Sequence, residues 1–121
     1  MEITAATEAF GALAQETRFA VFRLLIEAGP DGMPAGDIAR HLGVPHNTLS
    51  THLGILSRAG LVGSRREGRS IIYAADFSGV RGLIAFLLQD CCKGRPEVCA
   101  PLLDAALAPV PERCSVKSSE A

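Results

Sequence analysis

Cysteine is the residue type whose placement in this chain most directly suggests chemistry. All four cysteines lie within the last 31 residues: Cys91 and Cys92 are adjacent, Cys99 follows, and Cys114 stands near the end. Three thiolates on one side of an ion suit trigonal As(III) or Sb(III), whereas a structural zinc prefers four ligands. Alternatively, Cys91 or Cys92 could form a disulfide or polysulfide with Cys99, which is the chemistry of a redox or sulfide sensor.

Whether three of these thiols can meet depends on where the preceding helix ends. Adjacent residues in a continuing helix point about 100 degrees apart, so Cys91 and Cys92 cannot both face one ion from within it. A glycine and a proline shortly after the pair end the helix and leave Cys92 free to turn, so the loop that follows can bring Cys99 back. We therefore predict a metalloid site made of Cys91, Cys92 and Cys99, with Cys114 as a spare thiol.

The composition indicates a small helical protein. A hydrophobic content of 48% with only 5% aromatic residues is more typical of packed helices than of a large sheet. No apolar run is long enough to span a bilayer, and the N-terminus lacks the order of a signal peptide, so we expect a cytoplasmic protein with no membrane partner. In that reducing compartment, free thiols are expected rather than structural disulfides. A chain of 121 residues has only a modest core and is better stabilised by pairing with a second copy.

The hydrophobic pattern predicts five helices and one β-hairpin. The helices are expected at residues 4–13, 16–28, 35–42, 47–59 and 78 to about 91. After the fourth helix, an extended stretch starting at Leu61, a charged turn and a second strand at residues 70–75 form the hairpin.

Two of these helices carry specific packing predictions. In the first helix, Phe10 and Leu13 share one apolar side. In the last helix, which Ser78 caps, Phe86 points away from the main apolar face. Because a helix that is apolar on two sides usually has two partners, we expect this one to contact both its own core and a second subunit.

Residues 37–53 have the pattern of a helix-turn-helix. Gly43 supplies the turn, and Leu49, Leu53 and Leu56 form a narrow core stripe on the second helix. The opposite side is polar and small, which suits contacts with phosphates and base edges in the major groove. Residues 34–75 carry five arginines against two carboxylates within an acidic chain, which is a footprint of phosphate binding. The pattern therefore predicts binding of double-stranded DNA.

The predicted DNA contacts come from the second of these helices and from the hairpin, or wing. They are His46, Asn47, Thr48, Ser50, Thr51, His52, Arg58, Arg65, Arg66 and Arg69. The histidines are assigned to the DNA face because none has a second type of metal ligand nearby in sequence. The alternatives are a solvated helix face with a hairpin used for solubility, and a constitutive protein-interaction module. No paired carboxylates, nucleophile–base set or glycine-rich phosphate loop supports an enzyme.

Together these elements predict a fold that is mainly α with a small β-hairpin. We expect a winged helix-turn-helix of about five helices plus a two-stranded wing, assembled as a homodimer. The DNA-binding and dimerisation domain is predicted to cover residues 1–94, and residues 95–121 to form a thiol-bearing tail.

The chain resembles the ArsR/SmtB family of winged-helix bacterial repressors over about residues 5–92. The residues that carry the resemblance are Thr-Arg-Phe at 17–19, Ser-Thr-His-Leu at 50–53, Arg-Ala-Gly-Leu-Val at 58–62, and Arg-Glu-Gly-Arg at 66–69 with Tyr73. The resemblance implies a homodimer held by its first and last helices. Such a dimer would bind an inverted-repeat operator and leave it when an inducer binds.

Within this resemblance, the positions of the cysteines indicate which type of inducer the chain would bind. The layout is similar to that of family members that carry a Cys-Cys pair plus a third cysteine just after the last helix, which implies As(III) or Sb(III) as inducer and no organic cofactor. Two other sensor sites of the family have no counterpart. Residues 33–37 contain no thiol where one arsenic-sensing type has Cys-Val-Cys, and residues 77–90 contain no histidine where the zinc sensors have ligands.

Overall fold

Five α-helices and a small sheet follow one another in the part of the chain that the structure, a computed structural model, describes: residues 2–92 and residue 101. The elements are α1 (Ile3–Leu13), α2 (Glu16–Ala28), a 3-10 turn (Gly29–Asp31), β1 (Met33–Pro34), α3 (Ala35–Leu42), α4 (His46–Arg58), β2 (Val62–Glu67), β3 (Ser70–Ala75) and α5 (Phe77–Cys92). The predicted helices are confirmed to within about one residue at each end.

The chain divides into two units, residues 1–86 and 87–121. The predicted tail from residue 95 lies outside the described residues, apart from residue 101, so its boundary at residue 94 stays a prediction. No helix in the described part of the chain is long and apolar enough to cross a membrane.

The core is built around α2 and α4. Val21 and Leu25 of α2 are fully buried, and the predicted stripe of α4 is confirmed, because Leu49, Leu53 and Leu56 are each at most 1% exposed. Residues spaced by three and four along a helix share one face, so the stripe fixes which side of α4 packs inward. The opposite side of α4 is therefore left for solvent or DNA.

The two residues predicted to share the apolar side of α1 have different surroundings, because Leu13 packs against the core and Phe10 does not. On α1 the buried residues are Ala6, Ala9 and Ala12, whereas Phe10 is 44% exposed. Alanines three residues apart form a flat face on which another helix can pack closely, and Phe10, one turn after Ala6, lies at the edge of that face. Helix α1 therefore leaves a large aromatic side chain outside the core of its own subunit.

On α5 the exposed large apolar residues include Phe77, Ile84 and Leu87, and Phe86 is not among them. Leu83 is buried and Phe86 packs against the core, while Ile84 is 49% exposed. Leu83 and Phe86 are three residues apart and so share a face, whereas Ile84 is turned about 100 degrees away from Leu83. The prediction that Phe86 points away is therefore wrong.

The wing contains a third strand that the sequence pattern did not predict. The strand order is β1-β3-β2, with Met33 opposite Tyr73 on one side of β3 and Arg65 opposite Ile72 on the other. A strand of two residues is too short to show the alternation by which strands are recognised in sequence. The β2–β3 turn contains Gly68 in the left-handed conformation, with φ 62°.

Helix α5 starts at the point where α4 and β2 meet. The backbone N–H of Asp76 donates to the carbonyl oxygen of Leu61 at 2.9 Å. A Cβ atom on Gly79 would overlap the carbonyl oxygen of Gly60, so only glycine allows α5 to pack this closely against the residues that follow α4. The start of α5 is thereby attached to the end of α4.

The cap of α5 is Asp76 and not the predicted Ser78. Oδ1 of Asp76 accepts hydrogen bonds from the backbone N–H groups of Ser78 and Gly79, both at 3.1 Å, and from the Ser78 hydroxyl at 2.8 Å. Mainly because of the Gly79 N–H and then the Ser78 hydroxyl, the pKa of Asp76 lies below its ordinary value of 3.8. Ser78 is already in the first turn, so it supports the cap and does not form it.

Replacing Asp76 with asparagine should keep the cap and remove part of the acid sensitivity of the fold. Asparagine and aspartate are similarly good caps, but only the carboxylate can be protonated. Since folding lowers the pKa of Asp76, its charge stabilises the fold above pH 3.8, and this contribution is lost as the pH falls through the folded pKa. Urea unfolding at neutral and acidic pH should show a smaller acid loss for Asp76→Asn than for the wild type. Equal losses would mean that the charge contributes nothing.

Candidate nucleic-acid interface

The turn between α3 and α4 sets the position of the reading helix, as α4 is called from here on. Gly43 follows α3 in the left-handed conformation, with φ 65°, and the N–H of Val44 donates to the carbonyl oxygen of Ala39 at 3.1 Å. A left-handed glycine followed by such a hydrogen bond is a common way for an α-helix to end. Pro45 precedes the first residue of the reading helix, where its missing N–H costs nothing.

Most predicted contact residues of the reading helix are exposed. This holds for His46, Asn47, Thr48, Ser50 and Thr51, whereas His52 is partly buried. The Thr51 hydroxyl donates to the carbonyl oxygen of Asn47 at 3.3 Å, one turn earlier in the same helix. The first two turns therefore present a continuous polar surface, as direct readout in the major groove requires.

Arg58 lies at the other end of the reading helix and faces α1. Its Nη1 atom lies beside Gly54, 3.4 Å from the position that a Cβ on this glycine would take, which is an ordinary van der Waals distance. Arg58 also lines a groove of about 310 Å³ together with Glu8 and Gly11 of α1. It is exposed and stays a predicted DNA contact at the edge of the interface.

The arginines of the wing are all exposed but are not equivalent. Nη2 of Arg65 donates to the carbonyl oxygen of Asp31 at 2.8 Å, and its Nε donates to a Glu67 carboxylate oxygen at 2.7 Å. The bond to Asp31 ties the wing to the 3-10 turn that precedes β1. Arg65 therefore has a structural role that the sequence did not indicate, in addition to any contact with DNA. Arg66 and Arg69 remain predicted phosphate contacts.

One hollow connects the wing to the start of the reading helix. It has a volume of about 270 Å³, and its lining includes His46, Arg69, Ser70 and Ile71. The structure thus brings together two predicted contact residues that are 23 positions apart in sequence. Ile71, which is 39% exposed, adds an apolar surface beside them that sequence reasoning missed.

Arg18 is a further residue that sequence reasoning did not assign to the interface. Its Nη1 atom lies 3.5 Å from Nδ1 of His52 on the reading helix. Position 18 belongs to the Thr-Arg-Phe stretch that carries the family resemblance. This stretch is the sequence signal that could have pointed to Arg18.

The predicted metalloid ligands fall at the limit of the described residues. Cys91 and Cys92 are the last two residues of α5, and Cys99 lies outside the described part, as does Cys114. Within residues 2–92 and 101, no three His, Cys, Asp or Glu residues are grouped so that they could hold a metal ion. The set Cys91, Cys92 and Cys99 stays a prediction.

Comparison with known proteins identifies the family. A family model described as a helix-turn-helix domain matches residues 13–65. The transcriptional repressor SdpR of Bacillus subtilis is 34% identical over 85 residues, which are 70% of this chain and 91% of SdpR. The structure of an ArsR-like transcriptional regulator from Rhodococcus sp. RHA1 matches with a TM-score of 0.67 at 25% identity, over 86% of this chain and 93% of that one. The chain belongs to the ArsR/SmtB family.

This ArsR/SmtB protein is thus a DNA-binding transcriptional regulator and not an enzyme. A further similar structure is described as a possible transcriptional regulator for arsenical resistance. It matches with a TM-score of 0.58 at 29% identity, over 66% of this chain and 80% of that one. The predicted fold class is confirmed by these structures together with the observed elements.

Replacing Arg66 or Arg69 with glutamine should reduce the salt dependence of DNA binding. Each arginine that neutralises a phosphate releases counterions, so each loss should lower the slope of log K against log salt by about 1. Binding is measured by fluorescence anisotropy on a duplex that the wild-type protein selects from a random library. Arg23→Gln removes an exposed arginine from α2, outside the wing and the reading helix, and should leave the slope unchanged. Unchanged slopes for both wing variants would remove these residues from the interface.

Proposed function

We propose that this regulator is a metalloid-responsive repressor. As a homodimer it binds operator DNA in the cytoplasm, and it leaves the DNA when As(III) or Sb(III) binds Cys91, Cys92 and Cys99. The observation that carries the proposal is the set of three thiols placed at and just after the last helix of an ArsR/SmtB chain. Its similarity to a structure described as a possible regulator for arsenical resistance supports the choice of ion.

The chemistry of the donor set favours a trivalent metalloid. As(III) and Sb(III) are soft, and thiolates are the softest ligands that a protein offers. The thiolates of Cys91, Cys92 and Cys99 would hold such an ion as its three protein ligands, and the proposal includes no organic cofactor.

Helix α5 is the element that would carry the signal. It starts at the end of the reading helix, where the Asp76 N–H binds the Leu61 carbonyl and Gly79 packs against Gly60, and it continues to the cysteine pair. An ion that changes the position of α5 in the dimer would change the relation between the two reading helices. By linkage, the ion binds the DNA-free arrangement more tightly by the same coupling energy, typically about 1–3 kcal/mol.

The second copy would pack on the apolar residues that α1 and α5 leave uncovered. Ile3 is 74% exposed and Phe10 44% on α1, and Ile84 is 49% exposed on α5. These are the first and last helices, which the family resemblance assigns to the dimer interface. Burying such side chains against a symmetry mate removes apolar surface from water, which favours the dimer.

Replacing Ile84 with glutamate should dissociate the dimer and weaken DNA binding together with it. The carboxylate would be buried without a partner at the proposed interface. Phe19→Glu is the matched control, because Phe19 of α2 is also 49% exposed but lies on neither proposed dimer helix. Sedimentation should show monomers for the Ile84 variant and dimers for the Phe19 variant. A dimeric Ile84→Glu protein would place the interface elsewhere.

Replacing Cys91, Cys92 or Cys99 with serine should give a repressor that still binds its duplex but is not released by arsenite. Serine oxygen is a hard, poorly ionised donor and cannot replace a thiolate for a soft ion. Cys114→Ser is the matched control and should remain inducible, because a three-coordinate ion does not need it. Release of a fluorescent duplex is followed by anisotropy with a phosphine reductant present, so that no disulfide forms.

The outcomes separate the metalloid function from its alternative. If the wild type is released by an oxidant or polysulfide but not by arsenite under reductant, the protein is a redox or sulfide sensor of the same fold. A fully inducible Cys99→Ser protein, or a non-inducible Cys114→Ser protein, would overturn the ligand set.

A further inference from the structure

Arg18 links three helices at the back of the reading helix. Its Nε donates to the carbonyl oxygen of Ala12 near the end of α1 at 2.6 Å, and its backbone N–H donates to the Gln15 side chain at 2.8 Å. Nη1 of the same guanidinium lies 3.5 Å from Nδ1 of His52. Since the Ala12 carbonyl and the α2 backbone hold Arg18 in place, the guanidinium is a fixed neighbour of the imidazole ring.

The chemistry of the two groups determines which ring nitrogen carries the proton. A guanidinium has five N–H donors and no acceptor, so an imidazole nitrogen that faces it must offer a lone pair. A neutral imidazole has one N–H group. With Nδ1 as the acceptor, the proton is on Nε2, which lies on the other side of the ring.

We propose that Arg18 is a positioning residue for DNA recognition: it holds His52 in the tautomer that presents an Nε2–H donor. The proposal rests on His52 as a DNA contact, and it specifies what that contact can be. An Nε2–H group pairs with acceptors of the duplex, which are phosphate oxygens and the acceptor atoms of base edges, such as N7 of purines, O6 of guanine and O4 of thymine. The opposite tautomer would turn a lone pair toward the same groups and repel them.

The position of His52 is consistent with such a divided role. It follows the exposed contact residues Ser50 and Thr51 and precedes the fully buried Leu53, and it is itself partly buried. One edge of the ring can therefore face the protein while the other remains accessible. The guanidinium of Arg18 contacts the Ala12 carbonyl oxygen and the His52 ring, and neither group is a carboxylate. These contacts can therefore orient the ring without placing a negative charge beside the DNA.

The tautomer can be measured on the free protein. Long-range ¹H–¹⁵N correlation spectra of the full chain with ¹⁵N-labelled histidine, recorded in alkaline buffer, distinguish protonated from unprotonated ring nitrogens. His52→Gln assigns the signals by their disappearance. We expect protonated Nε2 and hydrogen-bonded Nδ1 in the wild type, and a shift toward a mixture of tautomers in Arg18→Met. Protonated Nδ1 in the wild type, or His52 signals unchanged in Arg18→Met, would overturn the proposal.

Binding to the selected duplex tests the consequence for recognition. The amide of glutamine can place a donor near the position of Nε2, whereas the shorter asparagine places its amide near Nδ1. His52→Gln should therefore bind within a few-fold of the wild type, and His52→Asn about tenfold more weakly, the value of one hydrogen bond. Equal affinities of the two variants would contradict the assigned donor.

A double-mutant cycle separates positioning from a general effect on the fold. Arg18→Met should weaken binding in the wild-type background but not in His52→Ala, because Arg18 acts through the ring. Arg23→Met, on the exposed side of the same helix, is the matched control and should have no effect in either background. An equal loss in both backgrounds would show that Arg18 acts on stability or on DNA directly. If the wild type selects no duplex, the DNA-contact proposal fails, while the spectra still test the tautomer.

Discussion

The burial of one leucine stripe is the constraint on which the DNA-binding surface depends. Leu49, Leu53 and Leu56 are at most 1% exposed and pack with Val21 and Leu25 of α2. Each such side chain contributes about 2 kcal/mol, so a rotation of the reading helix about its axis would cost several of these contributions at once. The polar residues opposite the stripe are thereby directed outward, where DNA could bind.

The second constraint is the close attachment of α5 to the end of the reading helix. Gly79 allows its backbone to approach the Gly60 carbonyl oxygen where any side chain at position 79 would overlap it, and the Asp76 cap and the Asp76 N–H bond to Leu61 complete the junction. Under the proposed function, this backbone junction would couple a displacement of α5 to the reading helix, because closely packed backbone atoms have little room to move independently.

Arginines serve two purposes in this fold. Arg66 and Arg69 are exposed at the wing, whereas Arg18 and Arg65 donate to backbone carbonyl oxygens within the protein. The guanidinium suits the second purpose because it has several donors in a fixed plane and can hold two elements together. Arg18 lies beside the predicted DNA contact His52, and Arg65 lies on the wing near Arg66 and Arg69.

The sequence alone determined the elements and the class of the protein. Helix limits, the leucine stripe, the Gly43 turn and the arginine-rich hairpin depend on periodicity and turn residues within a few positions of one another, and such local signals are readable without coordinates. The tertiary structure decided the rest. Arg18 and Arg65 each bind a partner 34 residues away, the short strand β1 exists only as a neighbour of β3, and the angle of packing turned Ile84 outward in place of Phe86. These outcomes depend on which elements meet in space, and sequence spacing carries no such information.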